Sequence, residues 1–439
     1  MLIDYTVSNY RSIYEEQSFN MVAVNSYKEM TDTNIIEYKP NMSLLKSTAI
    51  YGPNASGKST LLESLDVLRG TVLSSFKFGI DDELPVVPFA FDENSKNEPT
   101  MFEITFVEDE IKYEFELVLN KERVLEEYLT AYPKGQPQAW YSRVYNEISE
   151  LYEYEYSSLL KGKKKTWESA TKKNVLFLST AINLQNDEDN QLMPIYNWFK
   201  NKLTPVSIDG WSNEGTKELC LEEESKDAIV HFLQLGGIDI KDINVEIAKR
   251  NNLLGKDIEG HKFKEVIQEL ESLVENQLSK EVLDKMKRDI KITFVHSNGM
   301  TLDLKEQSDG TKKLFSFASL WIQSLKEGRV LFCDELNDNL HPALVKLLVD
   351  LFNDDVFNTN SAQLVFTTHE TSILSQEVLR RDQVWFCERD ENLSTKIYPL
   401  SDFTPRKDIE NIEDSYLIGR YGALPYFNKV NYKMNFLKD

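Results

Sequence analysis

"YGPNASGKST" (residues 51–60) decides how the chain is read. Gly52, Gly57, Lys58 and Ser59 stand at the spacing Gly-x-x-x-x-Gly-Lys-Ser. A loop of this kind needs glycines so that successive backbone N–H groups can turn inward around phosphate oxygens. It also needs a helix N-terminus behind it, whose partial positive charge faces the anion. Lys58 is placed to reach the β- and γ-phosphates, and the Ser59 hydroxyl to sit on Mg²⁺. The apolar run before the loop reads as a strand and "LLESL" after it as a helix, the setting the motif requires. A chance glycine turn would have neither flank. The stretch predicts an ATP·Mg²⁺ site whose cradle is Gly52, Asn54, Ala55, Ser56, Gly57, Lys58, Ser59 and Thr60.

A second constellation lies in "RVLFCDELNDNLHPAL". An apolar strand, Val330 to Cys333, ends in Asp334-Glu335. A carboxylate at that strand end can hold Mg²⁺, which is the role read for Asp334. Its neighbour Glu335 can orient and deprotonate the water that attacks the γ-phosphate. Alone the pattern is common; it gains meaning because "QLVFTTHET" follows it, another apolar strand ending in Thr367-Thr368-His369. A lone histidine is more often structural. At the end of such a strand, His369 is read as a hydrogen-bonding sensor of the γ-phosphate. Further along the same logic, Ser308, Gly310 and Thr311 open a helical run near Lys312, and small residues at a helix N-terminus make an anion site. One nucleotide rarely needs two such sites in one chain. Two chains facing each other do, so this element is expected to cap the ATP bound by a partner subunit.

Composition limits the remaining choices. The chain has 439 residues, 41% of them hydrophobic, with 23 Phe and 20 Tyr, enough for a sizeable core and unlike a disordered chain. No apolar run has the length of a membrane span, and "MLIDYTVSNYRS" has no secretory pattern. With only Cys220, Cys333 and Cys387, far apart, neither a disulfide framework nor a metal cluster is expected, and a cytoplasmic home is. The net charge of −22 argues against a general electrostatic grip on DNA or anionic membranes. The one dense basic stretch, "KGKKKTWESATKKN" with Lys161 to Lys173, reads first as a solvated loop and second as a contact for an acidic partner.

Periodicity divides the chain into three. Residues 1–160 form an N-terminal lobe with the phosphate loop. Within it Ile3, Tyr5 and Val7 alternate in a first strand, and residues 84–156 form an antiparallel meander with "PKGQP" as a turn. Residues 161–295 are expected to be mainly helical, with one long amphipathic helix over 262–290. In 296–439 strands and helices alternate, giving a C-terminal lobe of α/β type.

Taken in order, the phosphate loop with Asn54, the Ser-x-Gly-Thr element, the apolar-Asp-Glu strand, "NDNLHP" and the terminal His369 resemble the ABC-type ATPase heads of the SMC, RecF and OLD class. "NYRS" at 9–12 is similar to that group's N-terminal strand signature, which adds Arg11 to the nucleotide-contacting residues. Within the class, "DELNDNLHP" and "YLIGRYGALPYF" look most like RloA/AbiLi-type ATPases of two-gene phage-defence (abortive-infection) systems. The resemblance implies a mixed α/β head with a meander lobe and a helical insertion. It also implies ATP hydrolysis in a homodimer or higher oligomer, a phage-derived trigger, and a separately encoded Toprim-type nuclease effector through which any nucleic acid is met. "SDGTKK" departs from the transporter form of the signature, which speaks against a transporter subunit. The glutamine that monitors Mg²⁺ has only Gln185 as a weak candidate. Two other readings are weaker: the chain as its own nuclease, with 39 residues after position 400, and a guanine-nucleotide switch, which lacks Asn-Lys-x-Asp. The alternative kept open is a DNA-end or DNA-repair clamp of SMC/RecF type.

Overall fold

A computed structural model describes residues 1–185, 190–206, 212–249, 288–405 and 410–425. Two compact units divide it, Met1–Gly210 with Gln323–Asp439, and Trp211–Ile322.

The first unit holds two large sheets. One has seven strands in the order β10-β9-β8-β7-β6-β1-β2, antiparallel throughout. They are β1 (Leu2–Ser8), β2 (Gln17–Asn20), β6 (Thr100–Glu108), β7 (Ile111–Leu119), β8 (Val124–Tyr132), β9 (Gln138–Asn146) and β10 (Leu151–Tyr156). The expected meander is there, turned at "PKGQP", but it starts at Thr100. Residues 84–99 contain no strand, although their apolar residues Leu84, Val86 and Phe89 are buried. Strand β7 shows why the alternation reads cleanly: Tyr113, Phe115, Leu117 and Leu119 are buried while their neighbours are not. Glu127 of β8 breaks the rule. Its buried carboxylate accepts the backbone N–H groups of Phe177 (2.7 Å) and Leu178 (2.9 Å) and the Tyr141 hydroxyl (2.8 Å), so it caps the helix Phe177–Leu184.

The second sheet, of order β11-β15-β16-β5-β17-β18, is parallel except for its last pair. Its strands are β5 (Ser47–Tyr51), β11 (Leu203–Val206), β15 (Val330–Cys333), β16 (Gln363–Thr367), β17 (Val384–Arg389) and β18 (Thr395–Pro399). Every residue of β5, β15 and β16 is buried, as expected for strands covered on both faces. Cys333 is one of them, a small core residue; all three cysteines are buried and none is in a disulfide among the described residues. A two-stranded hairpin, β3 (Ile35–Lys39) and β4 (Met42–Leu45), completes this unit.

The second unit carries β12 (Asp242–Lys249), β13 (Arg288–Val295) and β14 (Thr301–Asp303) as an antiparallel sheet, with the helices Glu214–Leu219 and Glu223–Leu235. The helix Asp309–Glu327 opens in this unit, and Phe315 packs on Phe294 of β13. The stretch 161–295 is thus not purely helical. It contributes β11, β12 and β13, and residues 161–210 belong to the first unit. Residues 288–290, expected at the end of the long helix, lie in β13, where Ile290, Ile292 and Phe294 are buried at alternate positions. That period of two was present in the sequence, but the helical period upstream was carried too far. The remainder of the expected helix lies outside the described residues. No described helix is long and apolar enough to cross a membrane.

Candidate active site

In an open parallel sheet, ligands bind beyond the carboxyl ends of the strands. Here β5 ends at Tyr51, β15 at Cys333, β16 at Thr367 and β17 at Arg389, and the four lie side by side. The segments after these ends are the phosphate loop, Asp334-Glu335 and Thr368-His369, with Arg389 closing β17. A cleft of about 190 Å³ among them is lined by Asn54, Ala55, Ser56, Gly57, Lys58, Ser59, Thr60, Glu335 and Arg389.

The loop has its shape for stated reasons. Gly57, the N-cap of the helix Lys58–Ser74, has φ +108°, and a Cβ there would lie 2.0 Å from the Thr395 hydroxyl oxygen. A Cβ on Gly52 would lie 2.1 Å from the Cys387 carbonyl oxygen, so β17 passes too close for any side chain. Beneath the loop, Thr395 donates to the Ser56 carbonyl (2.9 Å) and its hydroxyl meets that of Ser12 (2.8 Å), which in turn donates to Thr60 (3.0 Å). The loop therefore rests on a hydroxyl ladder drawn from both ends of the chain. The residue of "NYRS" that supports it is Ser12. Arg11 is not in the cleft lining; it pairs with Glu63 at 3.2 Å on the loop's helix.

Lys58 is buried, and its ammonium donates to the carbonyls of Gly52 (2.8 Å) and Pro53 (3.0 Å). His369 Nε2 stands 3.4 Å from it. On the acidic side, Asp334 is buried and accepts the Thr367 hydroxyl at 2.6 Å, while the Glu335 N–H donates to the same hydroxyl at 2.8 Å. Thr367 of β16 thus holds the Asp334 carboxylate and the Glu335 backbone just beyond β15, and Glu335 takes a left-handed backbone, φ +49°. Asn337 fixes the histidine: its side-chain oxygen accepts the Thr368 hydroxyl (2.9 Å) and the His369 N–H (3.1 Å).

A phosphate chain fits these residues. Among the described residues the buried Ser56 hydroxyl has no hydrogen-bond partner, and the first N–H groups of the helix have none within it. The Ser59 hydroxyl and the Asp334 carboxylate are hard oxygen donors of the kind Mg²⁺ takes beside phosphates.

Burial, and then the charge of Lys58, hold the His369 pKa below the ordinary 6.5, against a smaller opposing pull from Asp334. The imidazole is neutral at pH 7 and gains its proton only below the usual histidine range. Turnover that needs neutral His369 should fall as the pH drops through the lowered histidine pKa, at a more acidic pH than an ordinary histidine would give. In an NMR titration of the nucleotide-free chain, Lys58→Met should move the His369 midpoint upward. A wild-type midpoint at or above 6.5 would contradict the arrangement.

Other candidates lie elsewhere. Gln185 ends the helix Phe177–Leu184 and is not in the cleft lining. Ser308, Gly310 and Thr311 belong to the second unit. There Ser308 is exposed and caps its helix, its hydroxyl accepting the Thr311 N–H at 3.2 Å. The helix starts at Asp309, a turn earlier than expected. In the basic stretch, Lys164 and Lys172 donate to backbone carbonyls and Lys165 pairs with Glu168. Sequence reasoning missed Arg389, Asn337 and the Ser12–Thr395 ladder. Asn337, the first residue of "NDNLHP", and Ser12, the last of "NYRS", carried a nearby signal; Arg389 and Thr395 did not.

A glycine loop opening a helix, a carboxylate pair beyond a second strand and a histidine beyond the strand between them define a P-loop ATPase. A family model described as "AAA domain, putative AbiEii toxin, Type IV TA system" matches residues 47–375, well over half of the chain, which belongs to that family. No curated protein matches it. Among solved structures it is similar to the SMC head domain from Thermotoga maritima (14% identity, 91% of this chain and 98% of that one, TM-score 0.39). It is also similar to an SmcHead bound to the C-winged helix domain of ScpA (11%, 92% and 99%, TM-score 0.41). A third is the recombination mediator RecF bound to ATPrS (15%, 90% and 98%, TM-score 0.35).

Proposed function

We propose that the chain hydrolyses ATP in this cleft and that hydrolysis controls a separately encoded effector in an abortive-infection system. The observation that supports it most is that Lys58 and Glu335 line one cleft at the ends of parallel strands, with His369 Nε2 3.4 Å from the Lys58 ammonium. The loop N–H groups, the Ser56 hydroxyl and Lys58 bind the phosphate chain. Ser59 and Asp334 would hold Mg²⁺, which would supply neutralisation of the phosphate charge. Glu335 takes a proton from water, whose oxygen bonds to the γ-phosphorus as the bond to the β-bridging oxygen breaks, giving ADP and phosphate. Neutral His369, set by Asn337, donates or accepts one hydrogen bond at the γ-phosphate. Ser308, Gly310 and Thr311 cap the nucleotide bound by a partner subunit, so the ATP-bound form is a dimer.

The family description names the toxin of a two-component toxin–antitoxin system, which fits a chain that acts with a second gene product. We place it with the RloA/AbiLi-type ATPases, responding to a phage-derived trigger through a Toprim-type nuclease. An acidic chain should itself bind nucleic acid poorly and cut none. Purified chain incubated with plasmid, single-stranded DNA and tRNA, with Mg²⁺ or Mn²⁺ and ATP, should leave all three intact. Cleavage should appear only when the neighbouring gene product is added. Cutting that co-purifies with this chain and disappears when its own acidic residues are changed would end the sensor reading.

A further inference from the structure

We infer that Arg389 is a second phosphate-binding cation of the cleft, acting in the same chain as Lys58. The inference rests on the cleft being the ATP site. Strand β17 runs parallel to β5, with Phe386 opposite Tyr51, so its last residues travel alongside the start of the phosphate loop. Side chains alternate along a strand. Cys387 turns its sulfur to the Ser56 carbonyl at 3.5 Å, whereas Glu388 turns the other way and accepts the Ala423 N–H at 2.7 Å. Arg389 therefore leaves the strand on the loop's side, and it lines the cleft with Asn54 to Thr60.

Its position is held and its charge is free. The turn after it is closed by Asp390, whose carboxylate accepts the N–H groups of Asn392 and Ser394 at 2.9 Å each. Thr395, on the far side of that turn, is bonded to the Ser56 carbonyl, which ties the turn to the loop. Among the described residues the exposed Arg389 guanidinium has neither an ion pair nor a side-chain hydrogen bond. The guanidinium lines a site that must hold a polyanion. Lys58, the other cation of the lining, is a point charge tied to two carbonyls. A planar guanidinium adds directed donors that a phosphate oxygen can take two at a time.

Arg389→Ala and Arg389→Lys, made in the full chain, test this by calorimetric titration with ATP and by thermal unfolding with and without it. The side chain is exposed and unpaired, so the nucleotide-free unfolding temperature should match wild type. ATP affinity should drop about tenfold or more in Arg389→Ala, since charge-assisted hydrogen bonds are the strong ones, and the ATP-induced shift should shrink with it. Arg389→Lys should recover part of the loss. Unchanged affinity in Arg389→Ala while wild type binds ATP would overturn this inference and leave the ATP site standing. A fall in the nucleotide-free unfolding temperature that accounts for the lost affinity would also overturn it, by making Arg389 structural. Wild type that fails to bind ATP would overturn the reading of the cleft itself.

Discussion

Glu335→Gln is expected to hold ATP as tightly as wild type and to hydrolyse it about 10²- to 10⁴-fold more slowly, the usual contribution of a positioned general base. The exchange keeps the shape of the side chain. It also keeps what positions the residue, because the Thr367 hydroxyl engages the backbone N–H of Glu335 and not its carboxylate. The amide cannot take the proton of the attacking water, and that alone is lost. Lys58→Ala should behave in the opposite way and lose the nucleotide before chemistry begins. Removing a charged donor to phosphate typically costs about 1.5–3 kcal/mol, or roughly a 10- to 150-fold loss of affinity. Titration with ATP and single-turnover hydrolysis on the same samples separate the two effects. Wild-type turnover in Glu335→Gln would rule out the assigned base, and wild-type ATP affinity in Lys58→Ala would rule out the assigned cradle.

Much of this site was legible because its parts are local. Gly52 to Ser59 is one continuous stretch whose spacing is legible by itself, although the contacts that require its two glycines, with Cys387 and Thr395, come from far along the chain. The buried parallel strands β5, β15 and β16 appear as short unbroken apolar runs, so the residues at their ends could be picked out. What could not be read is everything that depends on which strand lies beside which. Ser12 and Thr395 are 383 residues apart, and neither is unusual where it stands. They meet only because β18 pairs with β17 and β17 with β5. Arg389 reads as a charged strand end until that pairing puts it in the cleft. Thr367 shows the same limit from the other side. It was seen as part of "TTH", but its task, setting Asp334 and Glu335, follows from the order β15-β16-β5. Arg11 is paired with Glu63 within its chain, and its neighbour Ser12 touches the loop's helix.

The division of labour between subunits gives the last test. If Ser308 caps the nucleotide of a partner, a Lys58→Ala chain and a Ser308→Arg chain, each inactive alone, should complement one another. In the mixed dimer the intact phosphate loop of the Ser308→Arg chain faces the intact Ser308 of the other. About half of randomly paired dimers are mixed and each has one working site, so turnover should reach about a quarter of wild type. Because the Ser308 hydroxyl also caps its own helix, the arginine removes a cap, at a cost of about 1 kcal/mol. Ser308→Asp is the control, since it keeps a capping acceptor and places a negative charge where phosphate would come. It should be as inactive alone and as well complemented, with its helix intact by circular dichroism. Failure of both pairs, in preparations shown by mass to contain the mixed dimer, would mean that each chain completes its own site.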